Sequence, residues 1–156
     1  MIYKIIKTAH FIIWLVLIDQ FTKRLSLDLP KEGFTIIKNF FTFNYSENFG
    51  IAFSIPVPKT VLILGTVILL ILLTYLFFKE FDFKKRIAQA SLILVLAGGI
   101  GNLIDRIFRG FVVDFISIWK WPIFNIADVY ISVGVLLLII FYAKIKRSST
   151  GAPKKH

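Results

Sequence analysis

Four apolar stretches of about 20 residues, each long enough to cross a bilayer as a helix, constrain this chain to a membrane fold. The 156 residues are 57% hydrophobic and only 18% charged, which is too apolar for an ordinary soluble domain. We predict a mostly α-helical membrane protein: one integral-membrane domain over residues 1–147, then a disordered basic tail over 148–156. The four predicted transmembrane helices cover about residues 3–25, 57–78, 87–108 and 123–143.

The Lys and Arg residues predict the orientation. With four spans, the N-terminus, the loop between the second and third spans and the tail share one side of the membrane, and they carry eleven of the 19 basic residues. Short basic segments next to helix ends mark the cytoplasmic side, so we predict that both termini are cytoplasmic. Seven of the nine acids fall toward the other side, which indicates a polar site near the periplasmic face. The net charge of +10 comes from basic residues that flank the apolar stretches and do not form a basic stripe on a soluble fold, so we expect no binding of nucleic acid.

A strand pattern lies between the first two spans, at about residues 30–56. Thr42, Asn44 and Ser46 alternate there with aromatic residues, and a period of two is typical of a strand. Because open strand edges are not tolerated in hydrocarbon, we expect a small β-sheet at the periplasmic interface.

Polar and small residues share one face of the third predicted helix. Gly98, Asn102 and Asp105 stand at i, i+4 and i+7, and Arg106 follows directly. Close packing against another helix would by itself account for Gly98, without a role in a functional site. For Asp105 and Arg106 at the helix end, a structural ion pair, an interfacial anchor and direct contact with substrate stay open as alternatives. We expect these residues to form the wall of a site.

Two further acids lie around the start of the fourth helix. Asn125 and Asp128 stand at i and i+3, which suits either a site or a helix N-cap with an acid in the first turn. Asp114 lies in an apolar run without an adjacent basic residue, where an unpaired carboxylate is costly. Two carboxylates in a partly desolvated site share a proton, so one can activate water while the other protonates a carbonyl oxygen. This pattern favours the chemistry of aspartic proteases.

Other catalytic classes have less support. The chain has no cysteine, which excludes a thiolate nucleophile and a cysteine metal site. His10 lies near the cytoplasmic end of the first predicted helix and His156 ends the tail, so neither is expected near the acids and no serine–histidine arrangement is expected. The candidate residues offer a metal no ligands beyond carboxylates and amides, and we predict neither a metal nor another cofactor.

Five motifs, in order along the chain, resemble those of bacterial lipoprotein signal peptidase, or signal peptidase II, a family of membrane aspartic peptidases. Five motifs in the right order are specific to a family, whereas a single one of them would not be. They are Asp19-Gln20-x-Thr22-Lys23, Asn48-Phe49-Gly50-Ile51-Ala52-Phe53, Gly98-Gly99-x-Gly101-Asn102-x-x-Asp105-Arg106, Val113-Asp114-Phe115 and Phe124-Asn125-x-Ala127-Asp128.

The resemblance implies four transmembrane helices, a periplasmic β-cradle between the first two helices and a cleft open to the outer leaflet. It implies a monomer in the bacterial inner membrane, in contact with membrane lipids, that cleaves diacylglyceryl-modified prolipoproteins just before the lipidated cysteine. Asp114 and Asp128 would be the catalytic pair. The residues that would shape the site or hold the substrate are Asp19, Lys23, Asn48, Gly50, Gly98, Asn102, Asp105, Arg106, Asn125 and Ala127.

The segment 30–58 is further predicted to be a mobile clamp over the cleft. A glycine between two large apolar residues indicates either a positive φ or a close backbone approach, although Gly50 can equally serve only to turn the chain. The residues that we expect near the substrate are Asn48 and Gly50, and those of the apolar face are Phe49, Ile51 and Phe53.

Two other functions are alternatives. Intramembrane acids also form proton relays in small transporters and channel subunits, but those favour discontinuous helices and an inverted repeat, and the sequence has neither. A structural scaffold would hold the acids in ion pairs, and only Arg106 and Lys23 are placed to pair with them.

Overall fold

The computed structural model describes residues 2–50 and 57–147. The predicted disordered tail, and Ile51 and Phe53 of the predicted clamp, lie outside the described residues.

Helices make up most of the described chain. Three of them, α1 (Ile2–Ser26), α2 (Lys59–Glu80) and α3 (Arg86–Phe108), match the first three predicted spans to within a few residues. All three are long and apolar enough to cross a membrane. The other two are α4 (Ile126–Ile140) and the short α5 (Tyr142–Ile145).

The fourth predicted stretch, 123–143, is not one continuous helix. α4 has 15 residues and is about 22 Å long at 1.5 Å per residue, which is shorter than a typical span. Asn125 caps its first turn, and the chain leaves helical geometry at Phe141 before α5 begins. Hydropathy extended the predicted helix too far because the residues on both sides of α4 are apolar as well.

Helix α3 lies at the centre of the helical layer and packs against α1, α2 and α4. Its buried face is rich in small residues, among them Ala97, Gly98 and Gly101, which allow close helix approach. Helices α1 and α2 instead expose large apolar side chains, such as Trp14 and Ile71, as lipid-facing helices do.

The sheet has three antiparallel strands in the order β1 (Phe34–Ile37), β2 (Phe41–Asn48) and β3 (Val112–Ile118). The first two lie in the segment predicted to form strands. The prediction that the sheet lies between the first two helices is incomplete, because β3 comes from between α3 and α4. Strand β3 was not predicted because Val112 to Ile116 are all buried, so apolar residues stand on both sides of Asp114 without an alternation of period two.

Candidate active site

Asp114 and Asp128 line one cavity of about 300 Å³ between the sheet and the helices. Strand β3 carries the first acid, and the first turn of α4 carries the second. The other polar side chains of the cavity are Asn48, Asn102 and Arg106, and its apolar wall includes Trp121 and Phe124.

Asp114 is held between two amide side chains. The strand register pairs Asp114 with Ser46, which brings the end of β2 next to it. Asn48 Nδ2 donates to Asp114 Oδ2 at 3.0 Å, and Asn125 Nδ2 donates to Oδ1 at 2.7 Å. Burial raises the pKa of Asp114 to about 6; the nearby charge of Asp128 also raises it, while the hydrogen bond from Asn48 acts in the opposite direction.

Asp128 and Asn125 form a capping box at the start of α4. The backbone N–H of Asp128 donates to Asn125 Oδ1 at 2.9 Å, and the backbone N–H of Asn125 donates to Asp128 Oδ2 at 3.2 Å. The N-cap interpretation is thus confirmed. It does not exclude a role in the site, because the side-chain nitrogen of Asn125 also donates to Asp114.

Asn102 connects the two acids to a buried ion pair. Its Nδ2 donates to Asp128 Oδ1 at 2.8 Å. Its Oδ1 accepts from Asn125 Nδ2 at 3.1 Å and from Lys23 Nζ at 2.9 Å. The amide orientation is therefore determined by donors on one side and an acceptor on the other.

Lys23 lies between two carboxylates and is fully buried. Its Nζ is 2.9 Å from Asp19 Oδ2 and 2.9 Å from Asp105 Oδ2, and both acids are fully buried too. Asp19 Oδ1 accepts from the backbone N–H of Ala127 at 3.0 Å, which ties α1 to the first turn of α4. Arg109 also pairs with Asp105, so two cations balance two anions in this cluster.

Two glycines of α3 let these helices approach. A Cβ on Gly98 would overlap the carbonyl oxygen of Ala127 and lie 2.7 Å from Ile131 Cγ1. A Cβ on Gly101 would lie 2.5 Å from Asp19 Oδ2. The packing role considered for Gly98 is confirmed, and it acts at the turn that carries the cap of α4.

Of the alternatives left open for Asp105 and Arg106, an ion pair between the two is not formed within the described residues, because Lys23 and Arg109 are the partners of that acid. Arg106 Nη2 lies 3.4 Å from the carbonyl oxygen of Gly50, and the buried Nε of Arg106 has no hydrogen-bond partner in the described part of the chain. The Arg106 side chain therefore lines the cavity with an N–H donor, at Nε, that no described residue accepts.

Two residues of the polar cluster, Gln20 and Arg109, were not among the predicted site residues, although Gln20 lies in the first motif. Gln20 Nε2 donates to Asp19, to the carbonyl oxygen of Gly101 and to Asp105, and Arg109 Nη1 donates to Gln20 Oε1. Arg109 follows Asp105 by one helical turn, a spacing that could have indicated the pair. Within residues 2–50 and 57–147 no group of three His, Cys, Asp or Glu residues is placed to hold a metal ion.

The chain is similar over most of its length to known proteins. The profile of the signal peptidase (SPase) II family matches residues 11–144. The lipoprotein signal peptidase of Clostridium novyi (strain NT) is 39% identical over 137 residues, covering 83% of this chain and 93% of that protein. That of Chlorobium phaeobacteroides (strain DSM 266) is 43% identical over 147 residues, covering 83% and 86%.

A solved structure is similar as well. A bacterial membrane enzyme determined by the in meso method at 2.3 Å resolution superposes with a TM-score of 0.78 and 33% identity, covering 96% of this chain and 94% of that one.

Proposed function

The chain belongs to the signal peptidase II family and is a lipoprotein signal peptidase, and we propose that Asp114 and Asp128 are the carboxylates with which it cleaves prolipoproteins. The observation that carries this proposal is their position on one cavity, bridged by Asn125. The described residues that line the cavity include no serine or histidine, and the sequence contains no cysteine, which favours water as the nucleophile. The transporter and scaffold alternatives are not favoured by any of the relatives.

The pair acts on a water molecule between the two carboxylates. Asp128 takes a proton from the water, whose oxygen attacks the carbonyl carbon of the scissile bond. Asp114 carries the second proton and gives it to the carbonyl oxygen; its pKa of about 6 keeps a protonated fraction available near neutral pH. The tetrahedral intermediate then collapses: Asp128 gives the proton that it took from water to the leaving nitrogen as the C–N bond breaks, and Asp114 recovers its proton from the hydroxyl group as the carbonyl re-forms.

The amide side chains position the pair. Each carboxylate oxygen of Asp114 and Asp128 accepts one hydrogen bond from the protein, which leaves further lone pairs for water and proton. Arg106 lines the same cavity, and its Nε has no partner among the described residues, which suits a hydrogen bond to a carbonyl oxygen of the bound peptide. We expect the peptide to be a diacylglyceryl-modified prolipoprotein, cut just before the lipidated cysteine.

The membrane arrangement is part of the proposal. All four predicted stretches cross the bacterial inner membrane, with α4 as the core of the fourth, both termini in the cytoplasm and the site near the periplasmic face. The ends of α1 and α3 that carry Lys23 and Asp105 are the same ends that face the sheet, which suits a β-cradle at the outer interface. A scissile bond next to a lipid anchor lies at that depth.

The segment 30–58 is proposed to close over the substrate. Asn48 donates a hydrogen bond to Asp114, and the carbonyl oxygen of Gly50 lies 3.4 Å from Arg106 Nη2. This part of the segment therefore already borders the cavity. Phe49 is 57% exposed and rests against Phe111, with ring centroids 5.3 Å apart, which leaves most of an apolar surface free for a signal peptide.

The test is cleavage of a diacylglyceryl-modified prolipoprotein by the detergent-purified protein. Asp114→Asn and Asp128→Asn should each lower the rate by at least about a thousandfold, because an amide cannot carry the proton. Asp28→Asn is the control, since that acid is exposed and pairs only weakly with Arg24. Substantial turnover by either of the first two variants would remove that residue from the pair, and activity lost to a chelator and restored by one divalent ion would reject the metal-free mechanism.

A further inference from the structure

A second, larger cavity of about 610 Å³ lies between α1 and α3, near the N-terminal ends of both helices. We call it the α1–α3 groove. Thr8 and Ala90, which line it, precede Asp19 and Gly101 of the active-site layer by eleven residues each, or about 16 Å along either helix. The groove is therefore separate from the catalytic cavity. Its wall is formed mainly by Phe11, Ile93 and Leu94, and its cationic side chains are Lys7 and Arg86.

The two cations of the groove are not neutralised by the described part of the protein. Lys7 and Arg86 are both exposed, and neither forms an ion pair with a described residue. No acid lines the groove. The amide of Gln89, which does line it, is occupied, because its Nε2 donates to the carbonyl oxygen of Phe83 at 2.7 Å. Two positive charges thus stand beside an apolar wall with room for a ligand.

We propose that the α1–α3 groove binds an anionic phospholipid of the surrounding membrane. Its phosphate lies between Lys7 and Arg86, and the upper part of one acyl chain lies along Phe11, Ile93 and Leu94. Basic pockets between transmembrane helices bind anionic headgroups in this way, and each basic residue near the surface strengthens the attraction about fivefold. A signal peptide does not suit the groove, because its own N-terminal region is basic and would be repelled.

The bound lipid joins the two helices that support the active site. Helix α1 carries Asp19 and Lys23, and α3 carries Asn102 and Asp105, so these helices must stay in register for the buried cluster to form. A lipid that binds only the folded protein raises its melting temperature by mass action. We therefore expect the protein to melt at a higher temperature when anionic lipid is present.

The experiment measures lipid bound to the full-length protein by native mass spectrometry, from micelles that contain equal amounts of phosphatidylglycerol and phosphatidylcholine with matched acyl chains. The wild type should retain phosphatidylglycerol in at least fivefold preference. The double variant Lys7→Gln/Arg86→Gln should lose that preference, whereas Lys79→Gln/Lys84→Gln, which removes the same charge from exposed residues outside the groove, should keep it.

A second variant tests the groove without changing its charge. Ala90→Trp places a large side chain in the groove at an exposed helix position, and it should displace the lipid while Lys7 and Arg86 stay. Unchanged preference in both the Lys7/Arg86 and the Ala90 variants, or equal loss in the Lys79/Lys84 control, would overturn the proposal. The measurement needs no catalysis, so its failure would leave the peptidase assignment untouched.

Discussion

Among single side chains, Lys23 has the most demanding position. It is fully buried, it neutralises Asp19 and Asp105, and it donates to the amide that holds Asp128. A cation removed from water is tolerated only when its partners are excellent, and here every partner lies at 2.9 Å. Lys23 is therefore a positioning residue for the proposed catalytic pair.

Replacing Lys23 by Met should destabilise the protein by about 3–5 kcal/mol, because it leaves two buried carboxylates with fewer cations. Thermal unfolding in detergent measures the loss. Lys84→Met, at an exposed lysine, is the matched control and should melt like the wild type. The interpretation predicts in addition that Asp105→Asn, introduced into the Lys23→Met protein, restores part of the lost stability; no recovery would count against it.

Asp114 should make the stability of the protein depend on pH. Burial raises the pKa of this carboxyl from 3.8 to about 6, so the folded protein holds a proton that the unfolded chain has already lost between these values. The stabilisation linked to that proton is complete below about pH 4 and is lost as the pH rises through 6. The amide of Asp114→Asn cannot ionise, so the stability of this variant should not fall in the same way as the pH rises.

The free energy of unfolding of Asp114→Asn, relative to the wild type, should therefore rise between pH 4 and 7, by up to about 3 kcal/mol. Unfolding in detergent at several pH values gives the difference. A difference that stays constant across this range would show that the side chain is not desolvated as described.

At the level of whole helices, α3 approaches α1 and α4 closely because it has glycines, which carry no side chain, at the contacts. Gly98 lies against the backbone at the start of α4, and Gly101 lies against the carboxylate of Asp19 on α1. Both contacts fall at the level of the polar cluster. The separation of these helices and the geometry of the proposed site therefore depend on the same two positions.

Gly98→Ala should push α4 away from α3, because its Cβ would overlap the carbonyl oxygen of Ala127. We expect a loss of about 1–3 kcal/mol in stability and a lower cleavage rate, since Asn125 and Asp128 move with α4. Gly65→Ala on α2 is the matched control, because no atom lies within 4 Å of the Cβ that it adds. Equal melting temperatures and rates for the two variants would contradict the proposed close packing.

In the molecule as a whole, a cluster of charged side chains is buried and many large apolar side chains are exposed, as expected for a protein surrounded by lipid. Asp19, Lys23 and Asp105 are fully buried, whereas Leu64 and Ile68 on α2 are mostly exposed. In water this arrangement would be costly, but in a bilayer it places charged groups away from hydrocarbon. The exposed apolar helices and the buried polar cluster support the same membrane placement.

The orientation is testable because the chain has no native cysteine. With the termini in the cytoplasm, a membrane-impermeant thiol reagent applied to spheroplasts should label Glu32→Cys, at an exposed position before β1, but not Lys84→Cys, in the turn between α2 and α3. The reverse labelling pattern would invert the proposed topology.

Local signals were sufficient for the first three helices and for part of the sheet. The length of the apolar stretches located α1, α2 and α3, and the alternation along residues 41–46 located β2, because each pattern is read from neighbouring residues. The order of five motifs was enough to identify the family. It also named most of the residues that line the cavity, including Asn48, Asn102 and Asp114.

Only the tertiary structure decided which of those residues touch. Asp105 pairs with Lys23 and Arg109 instead of its neighbour Arg106, and Asn48 bonds to Asp114 across 66 positions of the chain. The strand β3 completes a sheet begun before α2, and the sequence did not indicate it because its buried residues Val112 to Ile116 show no alternation of period two. Periodicity predicts which face of an element is apolar, but contacts between distant elements depend on how closely their backbones pack, and in this protein Gly98 and Gly101 set that distance.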